Sequence, residues 1–424
     1  MEQRRKNLTQ LFIPICLETL LYMLSGMVDT LMLSSVNDQA VGAVGTANTY
    51  IGIFIIMFSV ISSGMVAVMT QNIGAGRPGV AYQARQLGLA FNAVLGVIMS
   101  LFLSLGAGTI LSGVGVADAL MQPAKTYLQI VGGFCILNAL IPICSSYLRA
   151  FGFSKEPLYA SIIGNVINFC LNAFFLFVLH KGVAGVATAT VISRIINLVI
   201  VVLLGAVLVK AKQHPERESN RAVMGQIIRI GLPSACETAI YNVSMTLVIR
   251  FLNQMDAQGL NVTARSYTMQ ITNFSYCVGA ALAQANAIMT GWHIGAKEYD
   301  ACDRGTKKAA VIGVIVAVIL ETVFTLCSGW IMQLFSKDPQ MVSLVGKLLA
   351  IDIVLEIGRV TNLVYGQALK TSGDAVFPVV MGACFMILCS VGGTYLFGIR
   401  LGLLAVGAYI GICLLYTSDA ADDT

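Results

Sequence analysis

Charge is what this sequence has least of. Asp, Glu, Lys and Arg together make up 11% of its 424 residues, against about 25% in soluble domains. It has three histidines, His180, His214 and His293, and they form no ligand cluster. No Walker loop, HExxH, GxSxG or CxxC occurs, so phosphate cradles, zinc hydrolases, serine nucleophiles and paired-thiol metal sites have no visible apparatus. ATP hydrolysis by this chain is excluded, and it is read as no enzyme and as needing no cofactor. The eleven cysteines are scattered through apolar runs and read as small buried hydrophobes rather than as a disulfide framework. What fills the chain instead is apolar: residues of the AVILMFWYC set reach 57% and the mean hydropathy is +0.81. A water-soluble fold has nowhere to hide so much apolar surface. A soluble enzyme, a nucleic-acid binder and a disordered chain are excluded; an all-α polytopic membrane protein remains.

A bilayer core of about 30 Å needs about 20 apolar residues per helix. Runs that qualify lie near 8–33, 42–70, 87–113, 126–149, 158–180, 183–209, 223–252, 262–292, 309–335, 341–369, 375–399 and 401–416, about twelve in all. The first carries Glu18 and Asp29 and lacks a small-residue cleavage site, so it reads as a span and not as a removed leader. The charged stretch 210–222 (KAKQHPERESNRA) divides the chain almost in half. It predicts a solvated linker between a first lobe, 1–209, and a second, 223–412. Loop charges set the orientation: Arg4, Arg5, Lys6, Arg77, Arg85, Arg149, Lys155, the 210–222 cluster, Lys297, Arg304, Lys307, Lys308 and Lys370 fall on one side. Only Lys125, Lys181, Lys337 and Arg400 fall on the other. The positive side is cytoplasmic, which places the N-terminus in the cytoplasm of a multi-pass protein of the bacterial inner (cell) membrane.

The halves repeat. Pro14, Glu18, Thr19, Tyr22 and Ser25 lie over Pro233, Glu237, Thr238, Tyr241 and Ser244 at a constant offset of 219. Leu148-Arg149-x-x-Gly152-x-x-x-x-Pro157 lies over Leu369-Lys370-x-x-Gly373-x-x-x-x-Pro378 at an offset of 221. Two six-helix bundles of equal topology predict a pseudo-twofold axis along the membrane normal and a cavity near the midplane, the plan of an alternating-access carrier.

Acids inside spans are costly, about 2.5–3.5 kcal/mol each on insertion scales, and usually face a cavity or a partner. Six qualify: Glu18, Asp29, Glu237, Glu321, Asp352 and Glu356. Glu18 and Asp29 are eleven residues, three turns, apart on one helix face. Glu18 and Glu237 each follow a proline by four residues, and either serve a cavity or tie down loosened backbone. Asp352, Glu356 and Arg359 form one stripe of the tenth span, a self-neutralising cluster or a transport site. Glu321 has no evident partner. Asn165, Asn168 and Asn172 lie on the fifth span. With Asp29 and Thr190 their carboxamides would suit a hard cation such as Na⁺; helix-to-helix hydrogen bonding is the alternative. Tyr22, Tyr241, Tyr267 and Met269 are candidates to line a pocket for flat organic cations, or simply to pack.

Four segments together resemble the multidrug and toxic compound extrusion (MATE) family: Pro14 through Val28-Asp29-Thr30; Met69-Thr70-Gln71-Asn72-Ile73-Gly74-Ala75-Gly76; Leu148-Arg149-Ala150-x-Gly152-x-x-Lys155-x-Pro157; and Asn165-Val-Ile-Asn168-x-x-x-Asn172 followed by Gly182 to Ser193. The resemblance implies two six-helix bundles and a cation-coupled antiporter, driven by H⁺ or Na⁺, that exports amphipathic organic cations. It makes Asp29 the coupling acid and Asn168, Asn172 and Thr190 its companions. Many relatives carry a carboxylate where Asn172 stands, and Gln-x-x-Asp where Glu356 and Arg359 stand, so carboxylate duty in the second lobe falls to Glu237 or Glu356. The runner-up is a lipid-linked oligosaccharide flippase, which would use Arg194, Arg250, Arg265 and Arg359 against phosphates. The expected partners are small organic cations and the bilayer, with no nucleic acid, and the chain is read as a monomer. The last run is short and ends in an acidic stretch, 413–424; it reads as a truncated span with a non-native tail.

Overall fold

The computed structural model describes residues 6–34, 38–113, 116, 118–209, 215–255, 259–333, 336 and 338–422. Arg4, Arg5, Lys210, Lys212 and Lys337 of the charge count lie outside them. Among the described residues every regular element is helical. In chain order these are α1 (Leu8–Ser34), α2 (Asp38–Gly74), α3 (Pro78–Gly113), α4 (Asp118–Tyr127), α5 (Ile136–Ala150), α6 (Lys155–Ala173) and α7 (Gly182–Leu208). Then follow α8 (Asn220–Met255), α9 (Leu260–Gly295), α10 (Tyr299–Leu326), α11 (Ser328–Met332), α12 (Pro339–Ser372), α13 (Val376–Phe385) and α14 (Leu404–Asp422). Four π-helical segments, Leu128–Gly132, Phe174–Val178, Met386–Gly392 and Thr394–Arg400, interrupt or extend them.

Among the described residues seven helical stretches are long and apolar enough to cross a membrane, and an eighth if Leu120–Gly132 and Ile136–Ala150, bent by 43°, form one span. The run expected at 126–149 is therefore broken. The runs expected in α8, α9 and α12 form long helices, but polar side chains dilute them: Arg229, Glu237 and Arg250 in α8, Asn273, Gln284 and Asn286 in α9, and Lys347, Asp352, Glu356 and Arg359 in α12. The apolar part of α14, Leu404–Leu414, is too short for a span by itself, although the helical backbone continues to Asp422. Side chains such as Leu105 and Leu326, more than four-fifths exposed, need lipid and not water around them. None of the eleven cysteines forms a disulfide among the described residues. Only Cys135, Cys144 and Cys277 are buried, whereas Cys170, Cys236, Cys327 and Cys384 are exposed, which corrects the expectation that the set is interior.

The chain divides into two compact units, Met1–Leu232 and Pro233–Thr424. In the first, α6 packs on α1 and α7, and α5 on α2, α3 and α7. In the second, α12 packs against α9, α10 and α14. The division falls within α8, later than the 210–222 stretch. Most of the described part of that stretch is exposed, and Glu218 and Asn220 also bond to α3. The Gln83 carboxamide donates to the Glu218 carbonyl at 2.7 Å and to Asn220 Oδ1 at 2.6 Å, and accepts from the Glu218 amide at 3.0 Å. Arg77 adds an ion pair to Glu218 at 2.5 Å. Further along, α8 crosses α2 so closely that a Cβ on Gly64 would run into the Ile227 carbonyl, and one on Gly231 into the Val60 carbonyl. Only glycine allows two backbones to meet this way.

Gly152 (φ 84°) and Gly373 (φ 109°) end α5 and α12 in the left-handed region, where a residue without a Cβ closes a helix at least cost. They are the glycines of the repeated Leu-Arg/Lys-x-x-Gly motif. At the neighbouring pair Gly76 (φ 74°) is matched by Lys297 (φ 61°), a side chain forced into the same conformation.

Candidate functional site

Helices α1 and α6 run parallel and in register. Ser154 Oγ donates to the Gln10 carbonyl at 2.9 Å, Ser161 Oγ to Glu18 Oε1 at 3.3 Å, and Asn172 Nδ2 to Asp29 Oδ1 at 2.6 Å. The residue offset is 144, 143 and 143, as two parallel helices of equal rise require. The eleven-residue spacing of Glu18 and Asp29 is thus met by the eleven-residue spacing of Ser161 and Asn172. Both acids face α6, as their shared face predicts.

The two acids are treated differently. Glu18 is tied to Arg149 of α5 at 2.5 Å, with side chains only 15% and 11% exposed. Glu237 in the second unit is tied in the same way to Lys370 of α12. Asp29 has no such ion pair among the described residues. Half-buried, it takes a hydrogen bond from Asn172, whose Nδ2 also reaches Asn168 Oδ1 at 3.2 Å. Asn172 is fully buried, and its own Oδ1 accepts nothing among the described residues. The structure thus joins three of the four residues expected together. The fourth, Thr190, is buried on α7 but donates to its own helix at Val186. Sequence reasoning missed the neighbours: Arg194 acts electrostatically on Asp29 and on buried Tyr127, whose hydroxyl meets Asn48. The signal for Arg194 was its i+4 spacing from Thr190. Asn172 and Tyr127 each stand just before a π-helical segment, a local widening common at functional sites.

In the second unit Asp352 and Glu356 share Arg359, at 3.6 and 2.7 Å. Glu321 of α10 joins them; the three acids are 0–1% exposed, and one carboxylate oxygen of each lies within 4.8 Å of the others. The aromatic candidates are dispersed. Tyr22 and Met269 are exposed, and Tyr267 packs on the core of the second unit.

Comparison with known proteins gives this geometry a context. The MatE family model matches twice, over residues 14–174 and 233–396. An uncharacterized transporter of Bacillus subtilis, YisQ, is 33% identical over 403 residues, covering 94% of this chain and 88% of that protein. A probable multidrug resistance protein NorM of Thermotoga maritima is 22% identical over 424 residues, covering 96% of this chain and 89% of its own. Among solved structures, a multidrug resistance MATE family transporter in an outward-facing conformation superposes with a TM-score of 0.88 at 18% identity, over 98% of this chain and 93% of that one. The MATE transporter ClbM in complex with Rb⁺ gives 0.87 at 17% identity over the same shares. With the fold shared along nearly its whole length and the family model matched in both halves, this multi-pass membrane chain belongs to the MatE family of transporters.

Proposed function

We propose that the protein is a cation-coupled antiporter that exports amphipathic organic cations by alternating access, through twelve spans in two repeated six-helix halves. The multidrug relatives support the substrate class. The double family match supports the repeat, as do the corresponding ion pairs Glu18–Arg149 and Glu237–Lys370. The N-terminus lies in the bacterial cytoplasm, and the protein works as a monomer.

One observation carries the mechanism: Asp29 is the acid of α1 left without a salt bridge, bonded to a buried carboxamide instead. The coupling ion, H⁺ or Na⁺, binds there. A proton on Asp29 removes the charge that Asn172 Nδ2 bonds to. A sodium ion would draw on the Asp29 carboxylate together with the Asn168 and Asn172 amide oxygens, the latter accepting nothing at present. Either event weakens the contact that holds α1 in register on α6. Coupling follows only if the two transport states hold the ion unequally, and the Asp29–Asn172 contact is the element able to differ. The flippase reading is disfavoured because Arg359 is committed to Asp352 and Glu356.

The test is ethidium export by reconstituted vesicles under an imposed pH or Na⁺ gradient. Asp29→Asn should fold, bind substrate and lose gradient-driven export; Asn172→Ala should weaken coupling less severely. An Asp29→Asn protein that builds a substrate gradient at the wild-type rate would sink the assignment and move coupling to the second unit.

A further inference from the structure

The outer face of α10 changes character at one end. Its inner face, Thr306, Ala309, Ala310, Gly313, Ala317 and Glu321, is buried where α10 packs on α9 and α12. At about 100° per residue, the opposite side is one continuous stripe through Arg304, Lys308, Val311, Ile315, Ile319 and Leu326. The four apolar members are each more than half exposed, as side chains that face lipid are. The stripe ends in two exposed cations stacked at i and i+4.

Bilayer dimensions fix the depth of that end. From Lys308 to Leu326 the helix rises about 27 Å, close to a hydrocarbon core of about 30 Å. Beyond Leu326, α11 presents an exposed Trp330, the residue type that collects where a membrane meets water. With Trp330 at one interface, Arg304 and Lys308 stand at the depth of the lipid phosphates in the other, on the side of the positive loops.

Their charges are uncommitted. On the same side Arg77, Arg149 and Lys370 each hold an acid. So does Lys307, paired with Asp303 at 3.0 Å; these two lie about 100° round the helix from Lys308 and Arg304. Arg304 and Lys308 themselves make no ion pair or hydrogen bond among the described residues. The exposed Asp300 stands one turn farther from the hydrocarbon. The feature is particular to α10: 221 residues earlier, α3 carries Gln83, which is bonded to Glu218 and Asn220, and Leu87. Two unpaired cations at phosphate depth above an apolar track complement a molecule that joins an anionic head to a hydrocarbon chain.

We propose that Arg304 and Lys308, with Val311, Ile315 and Ile319, bind one anionic glycerophospholipid, its phosphate between the two cations and an acyl chain along the stripe. A zwitterionic lipid carries its own ammonium, which already offsets the phosphate, so a head with net negative charge is selected. The site lies wholly in the second unit and does not involve Asp29.

The test uses the purified full-length protein, delipidated in an uncharged detergent, and native mass spectrometry with phosphatidylglycerol and phosphatidylcholine of matched chains. Inorganic phosphate serves as the chain-free competitor. One phosphatidylglycerol should bind at least about tenfold more tightly than phosphatidylcholine, and equimolar phosphate should not displace it. Arg304→Gln and Lys308→Gln should each weaken it about fivefold. Arg400→Gln, which removes the same charge from the other side, should leave it unchanged. Equal binding of the two lipids overturns the proposal, as does displacement by equimolar phosphate, or an equal loss in Arg400→Gln. A double Arg304→Gln, Lys308→Gln variant that keeps the wild-type preference also overturns it; if that variant does not fold, either single variant at wild-type preference does so. No gradient or drug enters this measurement, so it fails or succeeds separately from the transport reading.

Discussion

The Glu18–Arg149 pair allows structure to be separated from transport by a double-mutant cycle. The ion pair is 2.5 Å long with both side chains between a tenth and a sixth exposed, and Ser161 gives Glu18 a second donor. Removing one member of a buried pair strands the other, at about 3–5 kcal/mol. The residual exposure puts Glu18→Gln at the lower end, about 3 kcal/mol, because Arg149 cannot shed its charge. Arg149→Met should cost about 2 kcal/mol, since Ser161 still donates to the partly exposed Glu18. The double variant buries no charge and should also cost about 2 kcal/mol, which makes the coupling energy about 3 kcal/mol. The first unit runs to residue 232, and at about 2–4 °C per kcal/mol for a domain of that size Glu18→Gln should lower Tm by roughly 6–12 °C. Thermal unfolding followed by size-exclusion fluorescence reads all three variants, and vesicle export reads the double variant. We expect the double variant to transport. Additive single effects, or a double variant that is folded but inert, would refute the view that Glu18 pins α1 to α5. Glu237–Lys370, with Glu237 at 22% exposure, should give a smaller coupling in the same experiment.

Two further pairs of outcomes follow from backbone geometry. Gly64→Ala drives a methyl group into the Ile227 carbonyl and should cost at least about 1–3 kcal/mol, seen as loss of monodisperse protein. Gly225→Ala, with open space around it, should be neutral or stabilising. Lys297→Gly relieves a side chain held at φ 61° and should raise Tm slightly, by up to about 1 kcal/mol of stability, whereas Gly76→Ala at φ 74° should lower it.

What the sequence makes legible is whatever one helix decides alone. Glu18 and Asp29 share a face because eleven residues are three turns, and Asn168 and Asn172 share one because they are four apart. Which helices are neighbours is not written in either spacing. The constant offset of α1 on α6 brings Asn172 to Asp29 and Ser161 to Glu18, and it becomes visible only when the helices are packed. Glu321 shows the limit most clearly. It stands 31 positions before Asp352 with no charged residue at helical spacing, so its partners come from packing of α10 on α12. Hydropathy fails for a different reason in the fourth run: the π-helical segment Leu128–Gly132 and the 43° bend that follows it before Ile136 break a continuous apolar stretch without making it less apolar.

The crossing of Gly64 on Ile227 and Gly231 has a consequence for biogenesis. A ribosome delivers α2 to the membrane long before it has made α8, and until then the glycine face of α2 has no backbone to rest on. The first unit therefore closes only once the chain has been synthesised to about Leu232, well past the end of the first family match at residue 174. Synthesis stopped after α7 would leave that face bare to lipid or to a chaperone. A half-length protein prepared to study the first unit should extend through Leu232, so that it carries the strip of α8 that seals it.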